Sequence, residues 1–183
     1  MRPRPCKLLL INGSLRAGSS NGAALRTAQT LVPPGSEAEL YERLAELPHF
    51  NPDIEQALLP EPVERLRAQL SAADAVLFST PEYAGALPGS FKNLLDWTVG
   101  EGLYRKPVGW LNVSPHADGA QRTYEMLRSV LGYVNADIVE AACTRAPVRR
   151  DTVGSDGLVH DAGARDTIRG AIQALVNHVR AAP

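Results

Sequence analysis

Cysteine is scarce in this sequence. Cys6 and Cys143 are the only two among 183 residues, and they form no CxxC pair. A disulfide scaffold, a zinc site or a thioredoxin-type motif needs closer or more numerous thiols, and two distant ones suit a reducing compartment. Both are expected to be small buried residues and not nucleophiles. Charge of neither sign is in excess: Lys plus Arg is 19 against Asp plus Glu at 20, a formal net charge of -1. Nucleic-acid binders draw affinity from clustered Lys and Arg on phosphates, so no nucleic-acid partner is expected. Long apolar runs are missing as well. The basic start Met1-Arg2-Pro3-Arg4-Pro5 leads into the short apolar run Leu8–Ile11, where a signal peptide needs roughly 7–15 apolar residues and a membrane helix about 20. The expectation is a soluble, cytoplasmic protein with no membrane partner. His49, His116, His160 and His178 are scattered without ligand spacing, and Asp151 to Asp161 lacks the closing glutamate of a calcium loop. No metal is expected, and the aspartate-rich stretch reads as a solvated loop.

What is present is an ordinary globular composition, 44% hydrophobic and 21% charged, in a length that fits one domain over residues 1–183. No internal repeat, low-complexity tract or linker interrupts it. Short apolar runs alternate with longer amphipathic stretches. Strands are predicted at Leu8–Ile11, Ala38–Tyr41, Asp74–Ser79, Pro107–Val113 and Ile138–Ala142. Helices are predicted at Asn21–Val32, Pro62–Ala72, Pro88–Val99, Ala120–Val134 and Arg165–Val179. The stretch from Glu42 to Pro60, with Pro48, Asn51 and Pro52, reads as loop. Five strands alternating with five helices make a parallel sheet covered on both faces. The common five-strand solution is the flavodoxin-like order 2-1-3-4-5, although alternation alone leaves a small Rossmann variant open. In that order ligands bind beyond the carboxyl ends of the strands, where strands 1 and 3 diverge.

Three loops therefore matter. The first, Gly13 to Asn21, runs into a helix, whose N-terminus offers unpaired N–H groups and positive dipole. Ser14, Ser19 and Ser20 add hydroxyls, Asn21 an amide, and Arg16 a cation suited to phosphate. An ordinary turn would need one cap, and this loop has five polar groups besides its glycines. No Gly-Lys-Ser/Thr follows, and Gly13, Gly18 and Gly22 lack the dinucleotide spacing, so a single phosphate fits better than a pyrophosphate. The second loop, Thr80 to Gly89, is shaped by two prolines and two glycines, with Tyr83 able to lie beside a planar ring. The third, Ser114 to Gly119, is irregular and contains His116. Taken alone, the second and third loops read as a stiff connection and a solvated histidine.

Together these residues resemble the NADPH-dependent FMN reductase family, which includes bacterial quinone and chromate reductases. The resemblance rests on Gly13-Ser14-x-Arg16-x-x-Ser19-x-Asn21 and on Pro81-Glu82-Tyr83-x-x-x-Leu87-Pro88-Gly89-x-x-Lys92-Asn93-x-x-Asp96-Trp97, with a weaker match from Gly119 to Arg128. It implies bound FMN, with the phosphate on Ser14, Arg16, Ser19, Ser20 and Asn21 and the isoalloxazine on backbone of Pro81, Glu82, Tyr83 and Ala84. It also implies NADPH or NADH as co-substrate and a homodimer or homotetramer. Lys92, Asn93, Asp96 and Trp97 are expected to fix their helix against the loop before it. A dimer is expected through that helix, because Trp97, Val99, Leu103 and Tyr104 exceed what one core covers. One departure stands out: the family's glycine-rich loop after strand 4 is replaced by Pro115 and His116. Proline stiffens that loop, and Ser114 and His116 are expected to line the pocket of a small-molecule electron acceptor.

Flavin brings its own reactive atom, so no catalytic acid or nucleophile is required of the chain. The implied activity is hydride transfer from a nicotinamide to bound flavin and on to quinone-like or flavin acceptors by alternate binding. Two alternatives share the fold: a non-enzymatic electron carrier, and a flavin reductase serving a partner monooxygenase. A net charge of -1 gives little support for the acidic docking face of a carrier.

Overall fold

The run Leu8–Ile11 has apolar side chains on both sides of an extended chain, the pattern of a strand covered on both faces. In the computed structural model, which describes residues 4–56 and 58–182, it is the middle of β1 (Cys6–Asn12). Leu8 and Leu10 enter one core layer, Leu9 and Ile11 the other. Four further strands follow: β2 (Ser36–Tyr41), β3 (Ala75–Ser79), β4 (Pro107–Asn112) and β5 (Asp137–Arg145). All neighbours pair parallel in the order β2-β1-β3-β4-β5, as the flavodoxin-like reading expects. Met1, Arg2 and Pro3 of the basic start lie outside the described residues.

Among the described residues, six α-helices accompany the sheet. On one face lie α1 (Ser20–Thr30) and α6 (Ala162–Ala181). On the other lie α3 (Glu61–Ala72), α4 (Gly89–Asp96) and α5 (Gln121–Tyr133). The remaining helix, α2 (Pro52–Gln56), sits in the stretch expected to be loop, together with a 3₁₀ turn at Leu44–Glu46. Leu44 and Leu47 are buried there, so the segment belongs to the core rather than to solvent. It is held from a distance: Asn93 Nδ2 and Trp97 Nε1 both donate to Pro48 O (2.9 and 2.8 Å), and Asn93 Oδ1 accepts from Phe50 N. These motif residues thus clamp residues 48–50 and not the loop preceding α4.

Other boundaries shift for local reasons. Asp161 caps α6 by accepting from Ala164 N at 2.7 Å, which starts the helix three residues before Arg165. β5 runs on to Arg145 because Asn112 pairs with it. The stretch expected as a solvated loop is instead a tight hairpin with Val153 bridged to Val159, and Val159 is fully buried. Trp97 and Leu103 are core residues, at 0% and 1% exposure. Of the expected dimer surface only Val99 and Tyr104, 45% and 60% exposed, remain available. Cys6 is buried and Cys143 half-buried, both as free thiols. Burial, with Glu140 nearby, pushes the Cys143 thiol up to about 12, which disfavours the thiolate. Among the described residues, no helix is long and apolar enough to cross a membrane.

Candidate functional site

β1, β3 and β4 end side by side, and their loops enclose a cleft of about 390 Å³. Ten of the eleven residues singled out from sequence line it: Ser14, Arg16, Ser19, Ser20, Asn21, Pro81, Glu82, Tyr83, Ser114 and His116. Ala84 does not. It sits at the tip of a two-residue hairpin, with φ of 52° beside Gly85 at 71°, closed by reciprocal Tyr83–Ala86 backbone bonds of 3.0 Å.

The first loop is built as a set of donors. Gly13 N–H donates to Ser79 O at 2.8 Å, which carries the β1–β3 pairing into the loop. Asn12 Oδ1 accepts from Ser14 N, and Ser14 Oγ accepts from Arg16 N. Ser19 Oγ accepts from Gly22 N at 3.0 Å as the N-cap of α1. Both hydroxyls have thereby received a backbone N–H, and their own protons are free to be donated. Asn21 Oδ1 accepts from the Ser79 hydroxyl at 2.8 Å, which leaves the amide nitrogen as donor. The backbone N–H groups of residues 17–21 have no acceptor among the described residues, and α1 carries no acid in its first turn. Such a site suits one multiply charged anion.

The second and third loops are held rigid around it. Tyr124, buried on α5, accepts from Thr80 N (3.2 Å) and donates to Leu111 O (2.6 Å), tying the exits of β3 and β4 together. Glu82 accepts from Thr123 N at 3.2 Å and so caps α5, whose own N-cap residue Ala120 has no side chain to do it. Its carboxylate is thereby a structural acceptor at the start of α5. Asn112 Oδ1 accepts from Ser114 N, and Asn112 Nδ2 donates to Gly119 O, both at 3.0 Å. Arg145 binds His116 O (2.7 Å) and Ala117 O from β5. His116 itself is exposed on this pinned loop.

Sequence reasoning missed several contributors. Thr80 and Asn112 line the cleft as the strand ends that set its loops. Asn112 repeats at β4 the turn that Asn12 makes at β1, a paired signal readable in Asn12-Gly13-Ser14 and Asn112-Val113-Ser114. Val148 and Arg150 line the cleft from beyond β5, and no motif marks them. Among the described residues, no group of three His, Cys, Asp or Glu side chains could hold a metal.

The family profile described as NADPH-dependent FMN reductase matches residues 6–145. The chain belongs to the NADPH-dependent FMN reductase family. It is 36% identical over 177 residues to the NAD(P)H-dependent FMN reductase of Pseudomonas aeruginosa, covering 95% of each chain. It is 31% identical over 174 residues to the quinone reductase of Escherichia coli, covering 92% of this chain and 93% of that one. Among solved structures it is similar to the flavoenzyme NAD(P)H:(acceptor) oxidoreductase FerB of Paracoccus denitrificans, with a TM-score of 0.79 and 29% identity over 96% of this chain and 97% of that one. As a family member this protein is a flavin-dependent oxidoreductase with FMN as cofactor and NAD(P)H as co-substrate. The carrier reading is set aside.

Proposed function

We propose that the cleft holds FMN with its phosphate on Ser14, Arg16, Ser19, Ser20 and Asn21 and its ring against the backbone of Pro81, Glu82 and Tyr83. The observation that supports this reading is the donor-rich first loop, which suits one phosphate and has no second glycine turn for another. When bound, FMN supplies the redox chemistry, taking hydride from the nicotinamide and passing electrons to an acceptor. The chain's part is placement. Tyr124 and Glu82 fix the ring-side loop relative to α5, and Arg145 and Asn112 fix residues 114–119 as the opposite wall. A ring seated against residues 81–83 leaves one face open, so nicotinamide and acceptor occupy that face in turn, a ping-pong sequence. Ser114 and His116 border that face and select the acceptor, with quinone-like compounds and free flavins the classes proposed. His116 tunes the second half-reaction and is not needed for the first.

The test separates the halves. Anaerobic NADPH added to the holoprotein is expected to bleach the flavin within the mixing time, and a quinone added afterwards to restore the colour. Steady-state rates at several fixed quinone concentrations should give parallel double-reciprocal lines. Converging lines contradict alternate occupancy, and a flavin that stays yellow contradicts direct reduction by NADPH.

A further inference from the structure

We propose that Arg150 is a second cationic ligand of the flavin phosphate, closing the Ser14–Asn21 loop from the side opposite Arg16; this rests on the reading that the cleft holds FMN. Arg150 lies beyond the family match, which ends at residue 145, yet it lines the cleft with Arg16. The path of the chain decides which end of the cleft it serves. After β5, Ala146 N donates to Asn112 O (2.9 Å) and Val148 N to Val113 O (3.0 Å), so the segment follows β4 past its end. Val148 is buried in the core layer of α1 and α6. The hairpin that follows Arg150 is then tied along α1, where Val159 N donates to Thr27 Oγ1 (2.9 Å) and Arg26 Nε to Gly157 O (3.3 Å). Arg150 is thereby anchored on the α1 side of the sheet, with the phosphate loop, whereas α4 and α5 cover the other face.

Charge points the same way. Neither Arg16 nor Arg150 has an ion pair or hydrogen-bond acceptor for its side chain among the described residues, whereas the adjacent Arg149 is bidentate to Asp151 at 2.9 and 3.1 Å. Among the described residues Glu82 is the one carboxylate lining the cleft, and it is engaged on α5. Two guanidiniums without a counter-charge in one cleft repel each other until an anion enters. A phosphate monoester carries close to two negative charges and three acceptor oxygens, enough for both forks.

The experiment is equilibrium dialysis of the holoprotein and its Arg150→Ala, Arg150→Lys and Arg16→Ala variants against FMN and, separately, riboflavin. Arg150 is exposed and has no partner among the described residues, so without flavin its variants should keep the parent melting temperature. Arg150→Ala is expected to weaken FMN about tenfold, the worth of one charge-assisted hydrogen bond, and to leave riboflavin binding unchanged. Arg150→Lys should recover part of the loss, keeping charge but not the fork. Unchanged FMN affinity in Arg150→Ala, while Arg16→Ala weakens it, overturns this inference alone. So does a raised KM for NADPH but not NADH with FMN retention intact, which would assign Arg150 to the nicotinamide's phosphate. If neither arginine affects FMN, the placement of the flavin fails with it.

Discussion

Gly13→Ala is expected to destabilise the protein by about 3 kcal/mol and to loosen FMN at the same time. A Cβ at Gly13 would stand 2.2 Å from Thr80 Oγ1, 2.6 Å from Thr80 Cβ and 3.0 Å from Phe91 Cγ. Phe91 is fully buried and packs edge-on against Phe78 at 5.8 Å, so it cannot yield. The first loop must lift from β3, which stretches the Gly13 N to Ser79 O bond and draws the phosphate loop away from residues 80–83. Overpacking of this kind costs roughly 1–3 kcal/mol and occasionally more, and for a chain of this size 3 kcal/mol lowers Tm by roughly 6–12 °C. Thermal melts with and without FMN measure both effects. Thr80→Gly removes both clashing atoms of Thr80, so the double variant should regain part of the loss and reveal coupling between the two sites. A Gly13→Ala variant with parental Tm and FMN affinity would mean the two loops are not packed as described.

Tyr124→Phe should act through the other pair of loops, at about 2–3 kcal/mol. The hydroxyl takes Thr80 N–H at 3.2 Å and gives its proton to Leu111 O at 2.6 Å, with Thr80 O at 3.1 Å. Phenylalanine fills the same space and leaves a buried N–H without an acceptor, which costs roughly 1–3 kcal/mol before the lost donation is counted. Burial pushes the phenol well above its usual range, so the neutral hydroxyl is present in folded and unfolded chains alike throughout pH 6–9. The deficit should therefore be flat with pH over that interval. Because Tyr124 fixes β3 against β4, FMN retention should fall with Tm. A variant as stable as the parent would show that the strand exits are held by something else.

Much of this was legible from local pattern. Leu8–Ile11 announced a strand buried on both faces, and the apolar spacing over Asn21–Val32 announced α1, which starts one residue earlier behind its cap Ser19. The first loop was readable because its hydroxyl, amide and guanidinium groups lie close together in sequence. What escaped was tertiary. Asn93 and Trp97 act on Pro48, 45 and 49 residues away, and so turn a proline-marked loop into part of the core. Trp97 read as surplus apolar surface because the segment packed on it, with Phe50 edge-on at 5.0 Å, carries no periodic pattern. Arg145 and Arg150 acquire their roles from where β5 ends relative to β4, and nothing in their own neighbourhood shows it. Glu82 stood in the expected motif for its backbone, and its carboxylate has a further use that only the fold shows, the capping of α5.

The central claim is that the loop from Ser14 to Asn21 holds the flavin by its phosphate. Arg16→Ala, dialysed to equilibrium against FMN and against riboflavin, tests it most directly. Arg16 lines the cleft, exposed and without a partner among the described residues, so its removal leaves the fold untouched and takes away only a cation. The account predicts FMN affinity lower by about tenfold or more, equivalent to about 1.5–3 kcal/mol for a charge-assisted bond, and riboflavin affinity unchanged. FMN affinity equal to the parent's, or an equal loss for both flavins, would contradict it.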